Sequence, residues 1–177
     1  DHGNVTVNEG TTVTNTGRFD DAQGNGTVRI TASTGTVTRN NALGTWSWSL
    51  PAPDGPFGPI TVTITATDSF NQIATASFTF TISNAAPVIT SFTNSSSMTC
   101  GATMQGQAIS VSGSFVDLGT LDTHTAKINW GDGTTAAGVV SESGGSGTVA
   151  GSHAYLAGGF YTITLTVTDD DGDLHTL

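Results

Sequence analysis

The chain has 177 residues, with 14 Asp+Glu against 4 Lys+Arg, 23 Gly and one Cys. So few cations exclude nucleic-acid binding, which needs clustered Lys and Arg against phosphates, and exclude electrostatic docking on anionic membranes. Cys100 alone builds no disulfide framework, no Cys/His spacing suggests zinc, and no apolar run reaches the length of a membrane-inserted segment.

Charged residues make up 10% of the sequence, and their place is taken by Thr, Ser, Gly and Asn, residues of strands and turns. The N-terminus has no basic patch followed by an apolar stretch, so the sequence reads as a mature protein or an excised piece of one. In chain order, Gly10-Thr-Thr-Val-Thr-Asn-Thr-Gly-Arg-Phe-Asp-Asp21 comes first. Trp46-Ser-Trp48 then sends two indoles to one face of a strand. That face either fills a core or, if exposed, forms a platform on which sugar rings stack. Ile60–Ala66 alternates strictly, a half-buried strand, and Ile73–Ile82 continues past the Asp68-Ser-Phe-Asn71 turn. The stretch from Ser83 to Ile89 holds Pro87 and reads as a junction. Gly106-Gln-Ala-Ile-Ser-Val-Ser-Gly-Ser-Phe-Val-Asp117 then repeats the pattern of Gly10–Asp21 without a gap, and Thr162–Asp169 repeats Thr61–Asp68. Phe160–Val167 alternates as Ile60–Ala66 does, and no segment sustains a helical period.

These repeats predict an all-β protein of two tandem β-sandwich domains, residues 1–85 and 86–177. Trp46, Trp48, Phe57, Phe70, Phe78 and Phe80 supply large core side chains in the first domain. Phe115, Trp130, Tyr155, Phe160 and Tyr161 supply them in the second.

Ile128-Asn-Trp-Gly-Asp-Gly133, then His153-Ala-Tyr155, then Gly159–Asp169 resemble the polycystic kidney disease (PKD) domain family. That family is marked by a WGDG turn, an H-x-Y and a closing Y-T-[VI]-x-[LV]-x-V-x-D strand. The resemblance covers 86–177 and implies an immunoglobulin-like β-sandwich. The first domain shares the frame at Phe19, Asp21 and Thr61–Asp68 but lacks WGDG and H-x-Y, and looks like a diverged relative. The resemblance implies extracellular, mostly non-catalytic modules that space, assemble or bind glycans and proteins, of the kind found in bacterial surface proteins. By their own chemistry, Trp130 follows the alternation of Ala126 and Ile128 into the core, and Gly131 and Gly133 suit the positive φ of a tight hairpin. Tyr155 and Tyr161 are expected to bury rings and offer hydroxyls to backbone, and His153 to make a structural hydrogen bond.

The densest polar cluster is Asp169-Asp-Asp-Gly-Asp173, with Asp117 on the matching loop after Phe115. Carboxylates so close repel unless solvated or bridged by a cation, and Ca²⁺ takes six to eight such oxygens. Asp117, Asp169, Asp170, Asp171 and Asp173 are therefore candidate Ca²⁺ ligands. The alternative is a solvated hairpin with Asp171-Gly172 as its two-residue turn before a last strand at 173–177. The first domain offers only Asp20, Asp21 and Asp68 for such a site. His2, His124, His153 and His175 are scattered in no catalytic spacing, and no cleft flanked by paired carboxylates is evident, so no enzyme is expected. Asn4, Asn25 and Asn94 begin N-glycosylation triplets that chance alone produces in so Thr- and Ser-rich a chain.

Eight residues follow Asp169, against fifteen from Asp68 to Ser83, so the last strand of the second domain is expected to be short. Truncation explains that, or an edge completed by a neighbouring chain. Three functions follow. The first is a structural or adhesive repeat segment of a secreted bacterial surface protein, with Ca²⁺ stiffening its loops. Its contacts would be neighbouring repeats, like subunits, and surface glycan or protein. The second is a subunit of a fibre assembled by strand donation. The third is a carbohydrate-binding module of a secreted hydrolase that uses Trp46 and Trp48.

Overall fold

A computed structural model describes residues 3–96 and 103–177. The state of Cys100 lies outside the described residues. The chain divides into two compact units, one ending at Asn84 and the other beginning at Ala85. Both are all-β.

Unit 1 contains β1 (Val5–Asn8), β2 (Thr12–Arg18), β3 (Arg29–Ala32), β4 (Thr36–Asn40), β5 (Thr45–Pro51), β6 (Phe57–Thr67) and β7 (Ile73–Ser83). One sheet runs β1-β7-β6-β3 and the other β2-β5-β4. Alternation decides which side chains meet: Val62 and Ile64 of β6, and Phe78, Phe80 and Ile82 of β7, are buried with Trp46 and Trp48 of β5. Trp46 is 4% exposed and Trp48 1%. Trp48 meets Phe78 edge-on at 5.1 Å and donates its indole N–H to the Thr34 carbonyl at 2.6 Å. Burying an indole contributes about 4–6 kcal/mol of transfer free energy, so these two rings are the main anchors of a small core. A sugar platform on them is thereby excluded.

Unit 2 contains β8 (Val88–Asn94), β9 (Ala108–Val116), β10 (His124–Asn129), β11 (Thr135–Ala137), β12 (Val139–Ser143), β13 (Ser146–Ala154), β14 (Thr164–Asp169) and β15 (Leu174–Thr176). Its sheets run β8-β9-β13-β12 and β11-β10-β14-β15. Ile109, Val111, Phe115, Ile128, Trp130, Val149, Tyr155, Leu165 and Val167 form the core.

The residues shared by the two copies have physical reasons. Gly10 and Gly106 hold φ of 68° and 74°, the left-handed turn that launches β2 and β9. Gly17 and Gly113 leave room for large neighbours: a Cβ at 17 would stand 2.4 Å from the ring of Trp46, its cross-strand partner on β5, and one at 113 would stand 2.6 Å from Leu165 Cδ2 of the opposite sheet. Asp21 and Asp117 turn the chain after the strand, each Oδ1 accepting the N–H two residues on, from Gln23 at 3.1 Å and Gly119 at 2.9 Å.

Four expectations need correction. Phe160 is 74% exposed and Phe70 68%. Phe70 sits on the β6–β7 turn, and Phe160 precedes the ladder of β14, which starts at Thr164 instead of Phe160 because Gly158 and Gly159 keep that approach in a loop bridged to Thr103. Phe57 is half exposed at the start of β6, beside a register shift. The turn after Asp169 spans three residues instead of two. Asp169 N–H bonds the Asp173 carbonyl at 3.0 Å, and Gly172 takes φ 99°.

β1 pairs in parallel with β7, from Val5 opposite Phe80 to Asn8 opposite Ser83. β8 instead pairs antiparallel with β9, with Ile89 opposite Phe115.

Candidate functional site

The buried ionisable groups Asp117, Asp122, His124 and Asp169 of unit 2 gather around the segment between β9 and β10. Asp117 follows β9, and its side chain is fully enclosed. Its Oδ2 lies 3.1 Å from His124 Nε2, and the other ring nitrogen, Nδ1, lies 2.7 Å from Glu142 Oε2 on β12. Glu142 Oε1 also accepts the His124 backbone N–H at 3.0 Å. The ring packs on Phe115 at 4.7 Å. Burial alone would depress the imidazole pKa, but hydrogen bonds to Asp117 and Glu142 outweigh it and raise the pKa above the ordinary value. His124 thus ties the loop after β9 and the strand β12 to the start of β10.

Asp122 is buried beside Asp117, with carboxylate oxygens of the two within 4.8 Å of each other. Gly119 makes that possible, because a Cβ there would stand 2.2 Å from an Asp122 oxygen. On the neighbouring turn, Asp169 is buried, and its Oδ1 accepts N–H from Gly172 at 2.7 Å and Asp173 at 2.8 Å. Asp170 Oδ1 accepts the Thr123 N–H at 3.1 Å, which lowers its pKa. Because Asp169 also pairs with His124 in the β10–β14 register, the turn and Asp117 flank the same residue. Asp170, Asp171 and Asp173 sit on the exposed side of the turn. Of the five expected ligands, Asp117, Asp169 and Asp170 accept hydrogen bonds from protein donors. The same turn forms in unit 1 with little charge, since Asp68 Oδ1 accepts N–H from Phe70 and Gln72 at 2.8 and 2.7 Å.

A second polar network explains the WGDG and H-x-Y residues. Gly131 and Gly133 hold φ of 78° and 91°, and Trp130 N–H closes the hairpin on the Thr134 carbonyl at 3.1 Å. Asp132 Oδ1 accepts from the Thr134 hydroxyl at 2.6 Å and from its N–H at 2.9 Å, while Oδ2 meets His153 Nε2 at 2.7 Å. The Thr134 hydroxyl bond, helped by His153, holds the Asp132 pKa down at about 2. The His153 ring stacks on Trp130 at 5.1 Å and meets Tyr155 edge-on at 4.7 Å. Tyr155 stacks on Tyr161 at 4.2 Å and donates to the Trp130 carbonyl at 2.8 Å. Tyr161 donates to the Ala157 carbonyl. His175 Nδ1 accepts the Ile89 N–H at 2.8 Å.

Sequence reasoning missed Asp122, His124 and Glu142. The only local signal was the spacing of Gly119 from Asp122. Glu142 reaches His124 across 18 positions and a sheet interface, which no short motif reports.

Two-layer sandwiches with this strand arrangement are immunoglobulin-like. The profile of the PKD domain family matches residues 84–176, just over half of the chain, and the chain belongs to that family. Among solved structures, the chain is similar to a titin Ig tandem pair (8% identity, 99% of this chain and 89% of that one, TM-score 0.36). It is similar also to the DIP-gamma IG1+IG2 pair (9%, 99% and 90%, TM-score 0.40) and to the N-terminal Ig1-2 module of the Drosophila receptor protein tyrosine phosphatase DLAR (12%, 98% and 90%, TM-score 0.37). No curated protein sequence matches it. No helix among the described residues is long and apolar enough to cross a membrane.

Proposed function

We propose that the chain is a non-catalytic, extracellular repeat segment of a bacterial surface or secreted protein, giving reach and contacts with neighbouring repeats, like subunits, or surface protein and glycan. One observation carries the reading: each described histidine ring is committed to holding loops or strands, His124 to Asp117 and Glu142, His153 to Asp132, and His175 to the Ile89 N–H. Groups that elsewhere serve acid–base chemistry here fix the architecture. On this reading an antibody to the chain labels intact producing cells. Labelling that requires permeabilisation overturns it.

The reading extends to Ca²⁺ at the acidic end of unit 2, held by Asp117, Asp169, Asp170, Asp171 and Asp173 with Asp122, an all-oxygen set of the kind hard cations take. The density of carboxylates there supports it, and a cation would share Asp117 with His124. Calorimetric melting tests it: Ca²⁺ raises the midpoint of unit 2 relative to EDTA, and an unchanged midpoint removes the ion.

A further inference from the structure

Asn25-Gly26 is the one Asn-Gly pair in the sequence, and every other asparagine is followed by a residue with a side chain. The pair has a chemistry of its own. An asparagine Cγ and the next backbone nitrogen close a five-membered ring when they bond, and glycine leaves that nitrogen unobstructed and its backbone free to turn. At the offset that matches Asp21 with Asp117, unit 2 has Leu121 and Asp122 in these two positions. Asn25 also begins one of the three glycosylation triplets, but its Oδ1 is turned into the loop, where it accepts the Asp21 N–H at 2.9 Å.

Three features of the β2–β3 loop favour ring closure. Asn25–Thr27 form a single 3-10 turn whose closing bond, from Val28 N–H to the Asn25 carbonyl, is long at 3.3 Å, so the Asn25 backbone rotates at little cost. The Asp21 N–H draws electron density from Cγ through Oδ1 and stands where negative charge collects when a nucleophile adds, the role of an oxyanion donor. Gly26 and Thr27 are exposed, which gives solvent hydroxide access to the Gly26 nitrogen. The fold itself does not ask for glycine here. Gly24 holds φ 98°, whereas Gly26 has no positive φ, and a Cβ on it would meet nothing within 4 Å.

We propose that Asn25 is a modification site at which the folded chain deamidates spontaneously, through a succinimide with Gly26, to aspartate and isoaspartate. The Gly26 nitrogen gives its proton to hydroxide and bonds to Asn25 Cγ. The Cγ–Nδ2 bond breaks, and Nδ2 takes a proton from water and leaves as ammonia, which restores the hydroxide. Water then opens the ring at Cγ, which gives aspartate, or at the Asn25 backbone carbonyl carbon, which gives isoaspartate with the main chain rerouted through the side chain. Nothing is oxidised or reduced: an amide and water become a carboxylate and ammonium. The product adds a negative charge to the turn of Asp21, whose Oδ2 is buried with no hydrogen-bond partner among the described residues. Isoaspartate also lengthens the segment that delivers Val28 to the core. Unit 1 thereby carries a chemical clock that unit 2 lacks at the matching loop, and this holds wherever the chain resides.

The test is incubation of the folded chain in mildly alkaline buffer made with H₂¹⁸O, followed by trypsin and mass spectrometry. Cleavage after Arg18 and Arg29 releases residues 19–29, in which Asn25 is the only asparagine. That peptide separates with time into asparaginyl, aspartyl and isoaspartyl forms, the two products carrying ¹⁸O, at about ten or more times the rate at any other asparagine, one tenfold step in barrier. Gly26→Ala, which the loop has room for, slows the conversion about tenfold or more. In ¹H–¹⁵N spectra of the folded chain, the Asn25 side-chain amide signals fade and the Asp21 N–H shifts on the same time course. Three results overturn the proposal: no ¹⁸O in the 19–29 peptide, an equal rate in Gly26→Ala, or incorporation only when the chain is unfolded in urea. Because the comparison among asparagines is made within one unaltered chain, it decides even without the variant.

Discussion

The two units share a frame and differ in how one end of it is closed. At that end, unit 2 has β8, the Ile89–His175 bond and the Asp117–His124–Glu142 cluster. Unit 1 has alanines, and Val28 at the position matching His124, two residues before Ile30 as His124 is two before Ala126. The consequence shows in a single atom. Asp117 Oδ2 meets an imidazole, whereas Asp21 Oδ2 is buried with no hydrogen-bond partner among the described residues. The same turn aspartate serves both units, but in only one does its second oxygen hold strands together. What repeats is the geometry of turns and close approaches, and what diverges is the chemistry that seals the ends.

The largest test of that contrast is Asp117→Ala against Asp21→Ala. Removing Asp117 takes away a buried charge-assisted partner and leaves His124 facing a gap, which costs unit 2 about 3 kcal/mol. Removing Asp21 loses one neutral-scale turn bond, about 1 kcal/mol. Urea denaturation followed by ¹H–¹⁵N spectra resolves the two units, and equal losses would show that the imidazole contributes nothing. Next comes Gly17→Ala against Gly113→Ala. A methyl at 17 drives into a fused ring that cannot bend, costing about 2–3 kcal/mol, while one at 113 meets the end of Leu165, a side chain with rotamers to spare, costing about 1 kcal/mol. A larger loss at 113 would contradict the packing described.

The smallest effect is on acid stability. Asp132 has its pKa lowered to about 2 from an ordinary value near 4, so its contribution is complete above pH 4 and disappears as pH falls towards 2. Unit 1 has no WGDG turn to lose. Acid titration of unit 2 therefore shows a component over that range that Asp132→Asn removes. An unaltered profile in the variant would place the proton elsewhere.

The alternation of β6, β7 and β10, the repeat spacing, and the roles of Trp130, His153, Tyr155 and Tyr161 were legible in the sequence because each follows from strand period or a short turn. The parallel pairing of β1 with β7 was not, since alternation gives a strand its two faces and does not name its neighbour. Asp169 showed as an acidic cluster, yet its match with Asp68 reveals a hairpin cap that forms with or without neighbouring charge. Phe70 and Phe160 were mistaken for core because size and apolarity do not say whether a residue stands in a ladder or on a loop.

The outer face of β6 and β7 pairs Thr61 with Thr79, Thr63 with Ser77 and Thr65 with Thr75, and in unit 2 the Thr166 and Thr176 hydroxyls meet at 2.8 Å. The threonines are β-branched and stiff, and none of these side chains carries a formal charge. Ionic strength has almost nothing to screen on such a surface, and the cross-strand hydroxyl contacts work alike in fresh water and brine. Salinity then acts on the acidic loops and on the few strand charges, and leaves the β6–β7 face untouched.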